Sequence, residues 1–274
     1  MNRQFLDGDY ILGTEEEELR RLGLQHAVWR PRATDAWSRA GFTAGNHIID
    51  VGCGPGYATL DLLDVVGDTG KVTALERSPR FIAHLTGRLA HANMRNADLV
   101  EIDLDHGQMP EASADGAWCR WVIAFVQNPR SLVRSIRGML RPGAAIVIHE
   151  YFAYATCRLI PRDGDFEDFI ETVKTSWRAT GGEPDIALEL LQWLPAEGFT
   201  IEDVRPIIDV VTPADFIWQW PSTFFDIGAE RLVNLGYMTS DKAARVKEAV
   251  RRTAADPDGR MITPGVLEII ATAV

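Results

Sequence analysis

The sequence predicts an α/β protein in which a mostly parallel sheet is covered by helices on both faces. Between residues 46 and 151, short apolar segments alternate with amphipathic ones, as strands and helices alternate along such a sheet. The first apolar segment runs directly into the glycine-rich stretch GCGPG. The chain has 274 residues, of which 46% are hydrophobic, and this suffices for a full buried core.

Residues 1–45 are expected to form a helical lid. Thr14 and Glu17 have the spacing of a capping box at a helix start. A second helix is predicted over residues 24–41. It is expected to break at Pro31, which has no backbone N–H to donate, and to end at Gly41.

The core, residues 46–151, contains five predicted strands joined by helices. The strands are HIIDVG, KVTALE, ADLVEID, ADGAWCRWVIAFV and RPGAAIVIHEYF. The helices are YATLDLLDVVG, SPRFIAHLTGRLAHA and NPRSLVRSIRGML. Ser78 and Pro79 suit the cap and first turn of the second helix, which supports its predicted start.

Two helical insertions follow the core. Residues 152–198 are predicted as a helical cap, with FEDFIETVKTSWRAT as its clearest helix. Residues 199–274 hold the last two strands, FTIEDVRPIIDVVT and GVLEIIATAV. A second helical insertion is predicted between these strands, over residues 213–260.

Charge and cysteine usage limit the function classes. The net charge is −11 and no basic run is present, so a nucleic-acid partner is not expected. The three cysteines form no CxxC pair, which predicts reduced thiols in a cytoplasmic protein without a metal site. No apolar run is long enough to span a bilayer and the first residues contain no secretory apolar region, so no membrane association is expected.

The glycines of GCGPG lie at the carboxyl end of the first strand, where ligands bind in open parallel sheets. Gly52, Gly54 and Gly56 allow positive φ and remove side chains that would block a ligand. A dinucleotide site needs the spacing G-x-G-x-x-G, but Tyr57 stands where the third glycine would be. The loop therefore favours a small carboxylate over a pyrophosphate, and this disfavours a nicotinamide oxidoreductase.

Several motifs together resemble the class I S-adenosylmethionine-dependent methyltransferases, in particular the small-molecule enzymes of the UbiE-like type. DVGCGPGYATLDL resembles the first motif of that family, ALERSP the acidic end of its second strand, and VEIDLDHGQMP its adenine-contact segment. The resemblance implies a Rossmann-like sheet whose last strand runs antiparallel. It also implies S-adenosylmethionine as cofactor and S-adenosylhomocysteine as product.

The resemblance assigns cofactor contacts to the strand ends. Glu76 is expected to accept hydrogen bonds from the ribose hydroxyls, and Arg77 to cover one face of the adenine. Asp103 is expected to accept from the adenine amino group, with Leu104 beside the ring; Asp105 is a rival for this role.

The resemblance places further residues near the amino-acid end of the cofactor. Asp50 is expected to orient the glycine loop. Arg120, beside Trp121 at the end of the fourth strand, pairs with the cofactor carboxylate or with Asp50, and both alternatives stay open. Candidates for the inner face of the lid are Tyr10, Gln25 and His26.

The fifth strand ends with three candidate catalytic residues, His149, Glu150 and Tyr151. Side chains alternate along a strand, so His149 and Glu150 cannot both face the substrate. Glu150 or Tyr151 is then the pocket residue. His149 is the general base if the alternation runs the other way.

The two insertions are rich in large aromatic residues, which form either the core of the cap or a site for a hydrophobic or aromatic acceptor. The candidate acceptor contacts are Trp177, Trp218, Trp220 and Phe224. The predicted function is transfer of a methyl group to O, N or C of a small molecule of secondary metabolism. The alternative is a protein that binds S-adenosylmethionine without methylating, such as a cyclase or a regulatory binder. A homodimer and a monomer are both open.

Overall fold

The computed structural model describes residues 16–274. The predictions for Thr14 and Tyr10 lie outside these residues. The strands of the described part are β1 (His47–Val51), β2 (Lys71–Glu76), β3 (Ala97–Glu101), β4 (Ala114–Arg120), β5 (Leu140–Ala153), β6 (Arg158–Ile160), β7 (Phe199–Ile207), β8 (Val210–Val211), β9 (Arg260–Ile262) and β10 (Gly265–Ala273).

Helices connect these strands. In the described part they are α1 (Glu16–Arg39), α2 (Tyr57–Val66), α3 (Pro79–His91), α4 (Pro129–Met139), α5 (Gly164–Ala179), α6 (Ala187–Ala196), α7 (Gln219–Asn234) and α8 (Ser240–Ala255). Within residues 16–274, none of these helices is long and apolar enough to cross a membrane.

The main sheet has the strand order β3-β2-β1-β4-β5-β10-β7. β1 pairs in parallel with β2 and with β4, whereas β10 runs antiparallel to both of its neighbours. The predicted α/β fold, with a mostly parallel sheet and an antiparallel last strand, is therefore confirmed. The strand order reverses between β1 and β4, and this reversal opens a crevice at their carboxyl ends.

The lid helix differs from the prediction, because α1 continues through Pro31 without a break. Proline in a helix interior costs about 3 kcal/mol. One face of α1 offsets this cost by burying two large side chains completely, Trp29 and Trp37, together with Ala33 and Ala36. Packing of this face on the body of the protein therefore overrides the local signal.

The cap also differs in composition from the prediction. α6 lies on the main sheet instead of in the cap, because Leu190 and Leu194 belong to the same core cluster as Ile146 of β5 and Ile269 of β10. The cap consists of α5, α7 and α8, with a small sheet of order β6-β9-β8. These three strands have only two or three residues each, too few to produce a recognisable period in the sequence.

Candidate functional site

A cleft opens at the carboxyl ends of β1, β2 and β4, where the strand order reverses. It encloses about 1040 Å³, open solvent included. Most residues predicted to contact a cofactor line it: Gln25, Asp50, Gly52, Gly54, Glu76, Arg77, Asp103, Leu104 and Arg120. The structure therefore brings residues from four strand ends and from α1 to one place.

The glycine loop has left-handed backbone at three positions, with φ of 66° at Gly52, 55° at Gly54 and 80° at Gly56. A Cβ at Gly52 would meet Val122, and one at Gly56 would meet Leu85, both closer than 3 Å. The expectation that all three glycines make room for a ligand is thus corrected, because two of them make room for packed side chains. Only Gly54 of the three faces open space, and Gly56 does not line the cleft.

Glu76 closes the loop from the end of β2. Its Oε2 accepts a hydrogen bond from the Gly54 N–H at 2.9 Å, and its Oε1 accepts from the N–H groups of Arg77 and Ser78. Burial raises the pKa of this carboxyl, although the three N–H donors oppose the shift. A carboxylate has about four acceptor positions, so Glu76 keeps capacity for a ligand hydroxyl.

Asp50 lies beneath the loop, fully inside the protein. Its Oδ2 accepts a hydrogen bond from the Thr59 hydroxyl at 2.6 Å. Burial raises its pKa to about 6, because the charged carboxylate is removed from water. This bond ties the end of β1 to the first turn of α2, which holds the loop between them in place.

Arg120 is bonded to His26 of α1 and not to Asp50. Its Nη2 lies 3.1 Å from His26 Nδ1, and its guanidinium lies over the rings of Trp118 and Trp121. Its Nη1 is buried without a hydrogen-bond partner. Burial lowers the pKa of Arg120 to about 10, which leaves it charged at neutral pH.

Asp103 and Asp105 both border the cleft but differ in their contacts. Asp103 accepts hydrogen bonds from the Asp105 N–H and from His106. Burial acts to raise its pKa, but these donors together bring it below its usual value. Asp105 accepts from the N–H groups of Gln127 and Asn128, ahead of α4, so it has a structural task that Asp103 lacks.

A second cavity adjoins the cleft and encloses about 450 Å³, solvent included. Three residues, Gln25, Trp121 and Phe125, line both spaces. The remaining lining is mostly aromatic and consists of Arg21, Tyr151, Tyr154, Trp177, Trp220, Pro221, Phe224, Phe225 and Pro264. Three of the four predicted acceptor contacts are thus brought together. Trp218 is the exception among them, since it is buried in the cap away from this lining.

Trp121, expected at the end of the fourth strand near the cofactor, lines both spaces, and its contact with the second cavity was not predicted. Its φ of 51° is unusual for a residue with a side chain. Its ring stacks on Tyr151 and on Trp220, at centroid distances of 5.5 Å in both pairs. A left-handed tryptophan has no signature in the sequence, and only its place directly after β4 pointed to the site.

Comparisons with known proteins show what this part of the chain is similar to. Residues 49–148 match the family model described as a methyltransferase domain. These 100 residues are therefore similar to a methyltransferase domain. The match covers β1 to most of β5, and it therefore contains the glycine loop, Glu76, Asp103 and Arg120.

Curated relatives of the methyltransferase domain are remote. The carboxy-S-adenosyl-L-methionine synthase of Dichelobacter nodosus is 25% identical over 146 residues, which are 53% of this chain and 56% of the relative. The demethylmenaquinone methyltransferase of Staphylococcus aureus is 29% identical over 126 residues, 46% and 50% of the two chains. The chain thus spans about half the length of the curated relatives it matches.

A solved structure shares the fold over more of the chain. The [4+2]-cyclase SpnF superposes with a TM-score of 0.55 at 21% identity, and the alignment covers 88% of this chain and 80% of that one. At this identity the likeness concerns the fold. The aligned share is larger than the part of the chain that matches the family model.

The cofactor of the methyltransferase domain is S-adenosylmethionine, and the cleft fits it. Gly54 faces open space, Glu76 keeps acceptor capacity, and Arg120 has a buried cationic nitrogen without a partner. Gly54 thus lets a ligand contact the backbone, Glu76 can accept hydrogen bonds from hydroxyl groups, and Arg120 can bind a carboxylate. A nucleoside with an amino-acid end requires the same three features.

Two of the predicted catalytic residues are buried behind the methyltransferase cleft. Glu150 has no exposed surface, and its Oε1 accepts from the N–H groups of Val122 and Ile123, both at 2.7 Å. His149 is equally buried, and its Nε2 lies 3.0 Å from Oε2 of Glu268 on β10. Glu150 and His149 are therefore corrected as candidates for the pocket residue. Tyr151 of the same strand does border the second cavity.

Proposed function

We propose that this protein transfers a methyl group from S-adenosylmethionine to O, N or C of a small hydrophobic or aromatic molecule held in the second cavity. The observation that carries the proposal is the shared wall of the two spaces. Gln25, Trp121 and Phe125 border both, so a molecule in the aromatic cavity lies next to the cofactor cleft.

The cleft residues divide the work of holding the cofactor. Glu76 accepts from the sugar hydroxyls, and Asp103 with Leu104 receives the base. Arg77 lines the same part of the cleft. The backbone at Gly54 and the guanidinium of Arg120 lie at the amino-acid end. When bound, S-adenosylmethionine supplies an electrophilic methyl group on a sulfonium.

The aromatic walls contribute alignment and exclusion of water. Methyl transfer is an in-line displacement, whose rate depends on holding two atoms at the correct distance and angle. The stacked rings of Tyr151, Trp121 and Trp220 form a rigid face against which a planar acceptor can rest. Tyr151 is the predicted catalytic residue that borders this space, so its hydroxyl is assigned to orienting the acceptor.

The first test asks for turnover and then for the location of the acceptor. The purified chain is incubated with S-adenosylmethionine and a panel of phenols, amines and carbon nucleophiles, and release of S-adenosylhomocysteine is measured. Trp220→Ala and Phe224→Ala are expected to raise the KM of an active acceptor at least about tenfold, since each removes an aromatic wall worth more than 1.4 kcal/mol.

A matched control separates this effect from loss of structure. Trp218→Ala removes an equally buried tryptophan of the same segment that does not border the cavity. It is expected to lower the Tm and to leave the acceptor KM unchanged. Equal KM changes in Trp218→Ala and Trp220→Ala would reject the second cavity as the acceptor site.

A second candidate is a protein that binds S-adenosylmethionine without methylating. The burial of His149 and Glu150 favours it, because neither can act as a base at the cleft. The likeness in fold to the cyclase SpnF is compatible with it. Calorimetric binding of S-adenosylhomocysteine without product release for any acceptor on the panel would favour this candidate over the first.

The remaining sequence predictions belong to the same proposal. They are a cytoplasmic protein of secondary metabolism, a small-molecule substrate in place of a nucleic acid, and a homodimer as an alternative to a monomer. The three cysteines are free and buried, which agrees with reduced thiols. Sedimentation of the full chain measures the oligomeric state directly.

A further inference from the structure

We propose that His26 is a positioning residue that holds Arg120 in place to receive the carboxylate of the cofactor's amino-acid end. This inference rests on the proposed function. It goes further than the proposed function, because it assigns a role to a residue of the lid. His26 lies outside the residues that match the family model. The argument begins with the hydrogen bonds of the imidazole.

Both ring nitrogens of His26 have partners, and these partners determine its protonation. Nδ1 lies 3.1 Å from Arg120 Nη2, and Nε2 lies 2.9 Å from Asp61 Oδ2. A guanidinium has only donors, so Nδ1 must be the acceptor and carries no proton. The proton is therefore on Nε2 and is donated to Asp61, which makes His26 a neutral imidazole in a defined tautomer.

Burial supports the neutral form. His26 is 7% exposed, and its removal from water lowers its pKa. The charge of Arg120 acts in the same direction, while Asp61 acts against it. A neutral acceptor is the useful partner here, because it fixes the guanidinium without neutralising its charge. A carboxylate in the same place would compete with the ligand for that charge.

Arg120 retains the capacity to bind an anion. It lines the cleft, and its Nη1 is buried without a partner. The rings of Trp118 and Trp121 lie 5.5 and 5.2 Å from the guanidinium carbon and restrict its orientation. The acids at this end of the cleft are already engaged, Asp50 with Thr59 and Asp61 with His26 and Arg30. A ligand carboxylate is the group that satisfies the remaining donor.

The chain of contacts also ties three elements together. His26 is on α1, Asp61 on α2 and Arg120 at the end of β4. The glycine loop lies between β1 and α2, so the same contacts hold the lid helix over the loop. A residue at position 26 that lacks the Nδ1 acceptor but keeps the donor to Asp61 would remove the hydrogen bond that holds Arg120 while keeping α1 and α2 connected.

The experiment compares two ligands and two variants by calorimetry on the full chain. S-adenosylhomocysteine has the amino-acid end, and 5′-methylthioadenosine is the corresponding nucleoside thioether without it. His26→Gln keeps a donor near Nε2 but no acceptor near Nδ1, whereas His26→Asn keeps an acceptor near Nδ1. His26→Gln is expected to weaken S-adenosylhomocysteine about tenfold and to leave 5′-methylthioadenosine unchanged. His26→Asn is expected to retain most of the wild-type affinity for both ligands.

The control is Arg30→Gln, because Arg30 also bonds Asp61 but lies outside the cleft lining. It is expected to change neither affinity. Equal losses for both ligands in His26→Gln, or equal losses in His26→Gln and His26→Asn, would overturn the positioning role and leave a structural one. If the wild-type protein binds S-adenosylhomocysteine but never forms it from S-adenosylmethionine, the proposed methyl transfer is rejected. The role of His26 in binding is then unaffected.

Discussion

At the scale of single residues, the conformation of Gly54 connects backbone geometry to ligand approach. Its φ of 55° is left-handed, and a Cβ there would meet no protein atom within 4 Å. Its neighbours Gly52 and Gly56 have similar conformations but are covered by side chains. The three glycines therefore share one backbone requirement, and Gly54 differs from the other two in having open space where a Cβ would stand.

Gly54→Ala is predicted to cause backbone strain and also to weaken binding of the cofactor, and a matched control distinguishes the two effects. The left-handed backbone costs a residue with a Cβ about 1–2 kcal/mol, and the new methyl group intrudes on the cleft. Gly143→Ala is the matched control, since Gly143 also has positive φ and open space around it but lies in the exposed first residues of β5, at the opposite end of that strand from the cleft. Both variants should lose similar stability in urea, and only Gly54→Ala should lose affinity for S-adenosylhomocysteine in calorimetry. Unchanged affinity in Gly54→Ala would contradict this view of the cleft.

At the scale of elements, α1 joins the sheet, the cap and the cleft. Its carboxyl-terminal end is fastened by Arg39, which contacts Asp203 of β7 and the buried Glu268 of β10. Arg32, about two turns earlier, pairs with Asp209 at 2.8 Å. Removing one partner of a buried ion pair leaves an uncompensated charge, which costs more than the pair itself contributes.

Arg39→Leu is therefore predicted to lower the free energy of unfolding by about 2–4 kcal/mol, since Glu268 remains buried without its cation. Arg20→Leu on the same helix provides the comparison. Arg20 pairs with Glu16 at 3.6 Å, but both side chains are mostly exposed. Such pairs contribute less than about 1 kcal/mol. Denaturant unfolding of both variants measures the difference, and equal losses would show that the sheet contact of Arg39 has no special role.

Elements also show where sequence reasoning succeeds. β1 and β2 are buried along almost their whole length, so each is a nearly continuous apolar run, and glycine or a helix cap marks its end. This pattern is local and can be read directly. The prediction of a helix break at Pro31 was wrong, because the burial of Trp29 and Trp37 depends on partners that are distant in sequence. The two- and three-residue strands of the cap sheet have no local pattern at all.

The site shows the same limit. Residues at strand ends, such as Glu76 and Asp103, could be assigned because parallel strands bring their carboxyl ends to one edge. The position of the Glu150 side chain could not be assigned from the sequence, because it depends on hydrogen bonds from backbone N–H groups that follow β4. Similarly, Trp218 and Trp220 look equivalent in the sequence, and only the packing of α7 places Trp220 on the cavity.

At the scale of the whole molecule, buried titratable groups make stability depend on pH in opposite directions. Burial raises the pKa of Glu150 to about 8 and of Asp50 to about 6. The native state then binds more protons than the unfolded state, so these groups lower stability as pH rises. Burial lowers the pKa of His26 and His149, and stability from these groups is gained as pH rises toward their unfolded values.

Glu150→Gln isolates one of these contributions. Gln keeps the acceptor for Val122 and Ile123 and cannot ionise. Relative to wild type, the variant should become more stable as pH rises from about 5 to 8, by an amount on the order of a few kcal/mol. Urea unfolding of both proteins at several pH values measures the difference. A difference that does not vary with pH would mean that Glu150 is ionised throughout.

Gln25, Trp121 and Phe125 belong to the walls of two neighbouring spaces. A ligand that shifts any of them on one side changes the shape offered on the other. Thermodynamic reciprocity then requires that each occupant alters the affinity of its neighbour by the same factor. Occupancy of one space is thus expected to be coupled to occupancy of the other through the three side chains that border both.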